Sequence, residues 1–241
     1  MAGSFKNWCE NHVEQSGLIS SFVNYNSFKS EALKCNAERV LILSAGPSLV
    51  PFLKIPLASE LLADPKTITI AIKQAALELN SPPDIFCFNE VRYQKEFDSI
   101  GGVRLSVSEN SPCRKSHIHF PIFRYKKESS LIYKKNFKFW KYGFFPYRPW
   151  GVGIFFELAV HLPILLKAKE VTVAGFDMNK EGPFHFYDDT KNAKSYDVDN
   201  WEFELLPEAC FEMEKFYLEE QINLKVFTTN PDLKFKNIKI L

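Results

Sequence analysis

The chain has 241 residues, 46% of them hydrophobic and 24% charged, with 30 basic and 29 acidic residues for a net charge of +1. Such a composition supports a sizeable globular core and excludes a disordered chain. The near-balance of charge excludes a protein drawn as a whole onto nucleic acid or membrane, though not a local patch. Aromatics are abundant at 15%, with 23 Phe, while Gly is scarce at ten.

The segment Met1 to Glu14 is polar and lacks the apolar core of a secretory signal. Residues 1–36 read as one or two helices, an N-terminal extension ending at residue 37. Val40 to Leu43 is a continuous apolar run of strand length, as in a strand covered on both faces. The small-residue turn Ser44-Ala45-Gly46-Pro47-Ser48 follows, then a helix through Leu62. Thr67 to Ile72 reads as a strand, Gln74 to Leu79 as a helix, and Asp84 to Phe88 as a third strand. A helix from Gly153 leads to a strand at Glu170 to Ala174. The helical stretch Pro207 to Gln221 precedes a last strand at Lys225 to Thr228.

Strands alternating with helices imply β-α-β units. The predicted class is α/β: a Rossmann-like, mostly parallel sheet with helices on both faces, in one domain over residues 38–241. Such folds bind ligands at the carboxyl ends of the strands. Cys9, Cys35, Cys87, Cys113 and Cys210 are odd in number and far apart, so they predict buried thiols in a reducing compartment rather than disulfides or a zinc knuckle. The longest apolar stretch, Gly151 to Ala168, is interrupted by Glu157, His161 and Pro163 and does not read as a membrane span. The expected location is cytoplasmic, with peripheral contact at the inner membrane face left open.

Residues 111–150 stand apart. They hold ten Lys or Arg, one acid (Glu128) and twelve aromatics, and read as a lid-like insertion outside the sheet. A lid over bound substrate, an anionic membrane face and a solvated surface all fit that composition. Nucleic acid is disfavoured by the acidic remainder and the absence of a recognised motif. His117 and His119 alternate with Ile118 and Phe120, so both could point from one face of a strand. A structural role outweighs metal binding there, since no acidic or thiol partner is adjacent.

The loop after Gly175-Phe176-Asp177 carries His185 beside Asp188 and Asp189. An imidazole titrating near pH 6.5 suits a general base for an acceptor hydroxyl, with either aspartate orienting it or acting instead. Asp188-Asp189 with Asp197 and Asp199 could alternatively ligate a divalent ion, the less favoured arrangement.

The core Gly46-Pro47-Ser48-Leu49 after a strand resembles the opening motif of bacterial sialyltransferases of glycosyltransferase family 42, and that of the related motility-accessory-factor domain. In the same order come Ile72-Lys73-Gln74, Pro83-Asp84 with Phe86-Cys87-Phe88-Asn89, and Gly151-Val152-Gly153-Ile154. Lys169 to Asp177 and Thr229-Asn230-Pro231 complete the series. The chain departs from the families at Ser44, Ala45 and Val152, and no His follows His185. The resemblance implies transfer of a sialic or related keto-sugar acid from a CMP-linked donor, without a required metal, to a bacterial surface or lipid-linked glycan. The implied donor contacts are Ser44, Ala45, Gly46, Pro47, Ser48, Lys73, Gln74, Asn89, Gly151, Val152, Gly153, Gly175 and Asp177. The alternatives are a pterin-type pyrophosphokinase and a non-catalytic nucleotide-binding module. Self-association is left open.

Overall fold

The computed structural model describes residues 2–15, 21–89, 95–108, 116–123, 148–149, 153–178, 200–230, 233 and 239–240. Its centre is strand β1, Arg39–Leu43, buried along its length from Val40. Val40 and Ile42 face one layer of the core, while Leu41 and Leu43 face the other. That alternation explains the unbroken apolar run: a strand with helices on both faces has no side for polar residues.

Strand β2 (Thr67–Ile72), β3 (Ile85–Asn89), β4 (Val103–Ser108), β5 (Ile118–Phe123) and the two-residue β6 (Arg148–Pro149) lie successively on one side of β1. Strand β7 (Glu170–Ala174), β8 (Asn223–Phe227) and the two-residue β9 (Lys239–Ile240) lie on the other. Among the described residues the order is β6-β5-β4-β3-β2-β1-β7-β8-β9, and every pairing is parallel. The chain leaves β1 toward β2 and later returns beside β1 as β7. The sheet order therefore reverses between β1 and β7, which is where open α/β sheets hold ligands.

One face is covered by α1 (Ala2–Gln15), α2 (Ser21–Cys35), α5 (Gly153–Glu157), α6 (Leu162–Leu165) and α7 (Asn200–Glu219). The other carries α3 (Leu49–Leu53) and α4 (Pro56–Ala63), with 3₁₀ turns at Lys73–Glu78 and Lys95–Ser99. The helix expected through Leu62 is thus two pieces. Pro56 removes an N–H and starts the second one.

The N-terminal helices pack into the main core: Phe5, Cys9, Tyr25, Phe28 and Ala32 are buried against the sheet. Lys6 Nζ lies 3.5 Å from Asp84 Oδ2, and Asp84 also accepts the Thr69 N–H at 2.8 Å. The Pro83-Asp84 motif therefore joins β2, β3 and α1 at the amino edge. Cys9, Cys35, Cys87 and Cys210 are buried free thiols, and burial raises the pKa of each, Cys35 to about 11. No helix among the described residues is long and apolar enough to cross a membrane.

Residues 111–150 were expected outside the sheet, yet part of the segment belongs to it. Residues 118–123 form β5, paired to β4 over Leu105–Ser108. His119 is Ser106's cross-strand partner, with Nδ1 3.0 Å from Ser106 Oγ. His117 Nδ1 accepts the Arg104 N–H at 3.0 Å. Both imidazoles thus knit β5 to β4. Most of the remaining segment lies outside the described residues.

Candidate functional site

Leu43, Ala71, Phe86, Ala174 and Phe227 form one row across the sheet near its carboxyl edge. Three residues further along each chain stand Gly46, Gln74, Asn89, Asp177 and Asn230. The turns of the sequence motifs therefore gather at one edge, around the β1/β7 switch point.

The turn after β1 is bound tightly to the turn after β7. Ser44 N donates to Ala174 O at 2.8 Å and Gly46 N to Gly175 O at 2.7 Å. A β-carbon on Gly46 would lie 2.4 Å from Gly175 O and 2.6 Å from Asp177 Oδ2. Gly175 adopts φ +75°, and a β-carbon there would lie 1.9 Å from Ser44 O. Both glycines are demanded by backbone meeting backbone. Ser48 completes the junction, its Oγ accepting from Gly175 N at 3.1 Å and donating to Phe227 O at 3.2 Å.

Asp177, only 1% exposed, is the hub of this edge. Its Oδ2 accepts Ser48 N at 2.7 Å. Its Oδ1 accepts Thr228 Oγ1 at 2.8 Å, Thr229 N at 2.9 Å and Thr229 Oγ1 at 3.2 Å. Asn230 Nδ2 donates to Asp177 O at 2.6 Å. One buried carboxylate thereby ties the turns after β1, β7 and β8, and its charge is met by four donors.

The ends of β2 and β3 differ in kind. Lys73 has φ +50°, a left-handed backbone uncommon outside glycine and a conformation that clusters at functional sites. The side-chain oxygens of Gln74 and Asn89 are buried without a hydrogen-bond partner among the described residues. Buried acceptors are nearly always satisfied, so two orphans on adjacent strand ends mark a place where a donor is missing. Gly153, at φ +67° with open space around it, begins α5. Phe155 stacks on Phe176 at 4.1 Å between ring centroids, which brings that helix start beside the Gly175–Asp177 turn.

Of the expected donor contacts, Ser44, Ala45, Gly46, Pro47, Ser48, Lys73, Gln74, Asn89, Gly153, Gly175 and Asp177 occupy this edge. Their chemistry divides. Gly46, Ser48, Gly175 and Asp177 are engaged with one another, whereas Gln74 and Asn89 present unmatched acceptors. Gly151, Val152, His185, Asp188 and Asp189 lie outside the described residues. From the sequence, Thr228 reads only as the end of a strand. Its hydroxyl, with that of Thr229, satisfies Asp177, and the polar run Thr228-Thr229-Asn230 directly after an apolar strand is the signal that could have found it. No group of three or more His, Cys, Asp or Glu that could hold a metal ion occurs among the described residues.

No protein-family model and no curated protein matches the chain. Among solved structures it is similar to the sialyltransferase CstII from Campylobacter jejuni in complex with cytidine-5'-monophosphate, at 16% identity, covering 84% of each chain, with a TM-score of 0.43. CstII with a trisaccharide acceptor and CMP gives 14% identity over 84% of this chain and 85% of that one, TM-score 0.44. The monofunctional alpha-2,3-sialyltransferase Cst-I from Campylobacter jejuni gives 12% identity over 90% of this chain and 80% of that one, TM-score 0.45.

Proposed function

We propose that the protein is a glycosyltransferase that takes a sialic acid or related keto-sugar acid from a CMP-linked donor and transfers it to a bacterial surface glycan. The observation that carries this reading is the pair of unpartnered amide oxygens, Gln74 Oε1 and Asn89 Oδ1, at the carboxyl edge where the motif turns converge. A nucleoside supplies what they lack: ribose hydroxyls and the cytosine amino group are hydrogen-bond donors.

In this reading the donor lies across the ends of β1, β2, β3 and β7, with Gly151, Val152 and Gly153 as further donor contacts. His185, assisted by Asp188 or Asp189, takes the proton from the acceptor hydroxyl. The departing cytidine monophosphate is stabilised by amides and a lysine without a required metal. The basic-aromatic stretch suits a lid or the membrane face at which a lipid-linked acceptor is presented.

Thermal unfolding with CMP, UDP, GDP and ATP, with and without magnesium, tests the reading. CMP alone should raise the midpoint. Magnesium-dependent stabilisation by ATP would instead favour the pyrophosphokinase. For the catalytic assignment, donor hydrolysis by His185→Ala should fall by roughly 10²-fold or more, as for loss of a general base. Full retention of activity would remove His185 from the mechanism, and binding with no turnover in the wild type would leave a nucleotide-binding module.

A further inference from the structure

We infer that Asn230 is a positioning residue for catalysis: its carboxamide fixes the direction in which the chain leaves β7, and with it the approach of the segment that carries His185. This goes beyond the transferase reading above and rests on its assignment of His185 as the base.

The end of β7 is held by one side chain from the far side of β8. Asn230 Nδ2 donates to Asp177 O at 2.6 Å and to Met178 O at 3.4 Å, so a single amide group spans two successive carbonyls. The backbone of Asn230 is bound in turn. Its N–H donates to Thr228 Oγ1 at 3.0 Å, and Thr228 Oγ1 donates to Asp177 Oδ1 at 2.8 Å. Thr228 and Asn230 thus join the side chain of Asp177 to its backbone in a closed ring. Such a network holds each member in place through the next.

The fold does not need this attachment to tie β8 to β7. Thr228 Oγ1, Thr229 N and Thr229 Oγ1 already bind the Asp177 carboxylate. What Asn230 adds falls on the backbone of Asp177 and Met178. Met178 takes φ +47°, a left-handed conformation that persists only where the surroundings over-determine it. Here the surroundings are the Asn230 bridge to its carbonyl and the packing of its side chain on the main core. Met178 therefore bends the chain at the switch point, just before the segment with His185, Asp188 and Asp189. Both acceptors are carbonyls, so the clamp must present N–H groups. An ionised aspartate has the same shape and no donor.

Steady-state turnover of a CMP-linked keto-sugar acid by the full chain, with calorimetric titration of CMP, tests this. Asn230→Ala should lower kcat roughly tenfold to a hundredfold, the scale of a misplaced catalytic group, while donor KM and CMP affinity stay near those of wild type. Asn230→Asp should lose as much at neutral pH. Its activity relative to wild type at the same pH should recover as pH falls toward the carboxyl range, where the protonated acid donates again. A merely structural defect would not follow that titration. On a His185→Ala background, Asn230→Ala should bring no further loss, since both act through one group. An equal loss on both backgrounds, or an unchanged kcat in folded N230A, would overturn the inference and leave the transferase reading intact. Full activity of H185A would remove the base and the inference together. No turnover in the wild type would remove the transferase reading as well. Should N230A not fold, N230D still decides: a ratio to wild type that is flat with pH overturns the inference.

Discussion

The backbone N–H of Ser48 donates to the Asp177 carboxylate at 2.7 Å across 129 residues of chain. Through that bond the turns after β1 and β7 become one unit, and Thr228 and Thr229 add the turn after β8. Replacing Asp177 by Ala would strand the buried N–H of Ser48 and take the acceptor from the partly buried N–H of Thr229. An unmet buried donor costs about 1–3 kcal/mol, so D177A should lose about 2 kcal/mol of unfolding free energy. Asp177→Asn keeps an acceptor oxygen and should lose less. Urea denaturation of the two variants measures the order, and a D177A protein as stable as wild type would refute the hub role.

The glycines at the same edge should separate by the cause of their requirement. Gly153→Ala meets open space but a left-handed backbone, a penalty of about 1–2 kcal/mol. Gly46→Ala meets Gly175 O and the Asp177 carboxylate, and forcing these apart should cost about 2–3 kcal/mol. Gly175→Ala combines both faults and should be the worst, losing more than about 3 kcal/mol or failing to fold. Thermal midpoints should therefore fall in the order Gly153, Gly46, Gly175.

Burial pushes the His119 imidazole below the ordinary histidine pKa. The unfolded chain then binds the proton more readily than the folded one. Stability is complete above the ordinary value of about 6.5 and is lost as pH falls through it toward the lower folded value. His119→Gln retains a polar partner for Ser106 and removes the titration. Its unfolding free energy should vary less between about pH 7 and pH 5 than that of wild type. Equal slopes would show that another group governs this range.

The strands nearest the switch point were the easiest to read. Glu170 to Ala174 was located to the residue, and Val40 to Leu43 falls within β1, because a strand covered on both faces leaves an unbroken apolar run. The expected strand at Asp84 to Phe88 is shifted by one residue. Strand β4 is not legible in the sequence, because Arg104 and Ser106 interrupt the apolar pattern, yet Ser106 is fully buried and matched to His119. For β5 the alternation of His117, Ile118, His119 and Phe120 is legible as a strand, but the basic-aromatic composition of the surrounding stretch hides that it belongs to the sheet. The helix placed at Pro207 begins at Asn200, since a proline suggests a first turn but here sits inside the helix. At the site the motif residues were legible while their reasons were not. Gly46 and Asp177 read as ligand contacts, but what demands them is each other, a relation between residues far apart in sequence.

Gln74 and Asn89 yield the sharpest test of the edge as a binding site. A buried acceptor without a donor destabilises the free protein by about 1–3 kcal/mol. Replacing it with an apolar side chain of similar shape removes that penalty. Asn89→Leu and Gln74→Met should therefore raise the stability of the ligand-free protein by about 1 kcal/mol each. Both should also diminish the stabilisation that CMP confers, since the group that receives the nucleoside's donor is gone. The two effects have opposite sign, so a general packing defect cannot mimic them. Paired thermal scans with and without CMP read both at once. A variant that loses stability yet keeps the full CMP shift would show that these oxygens serve the fold and not the ligand.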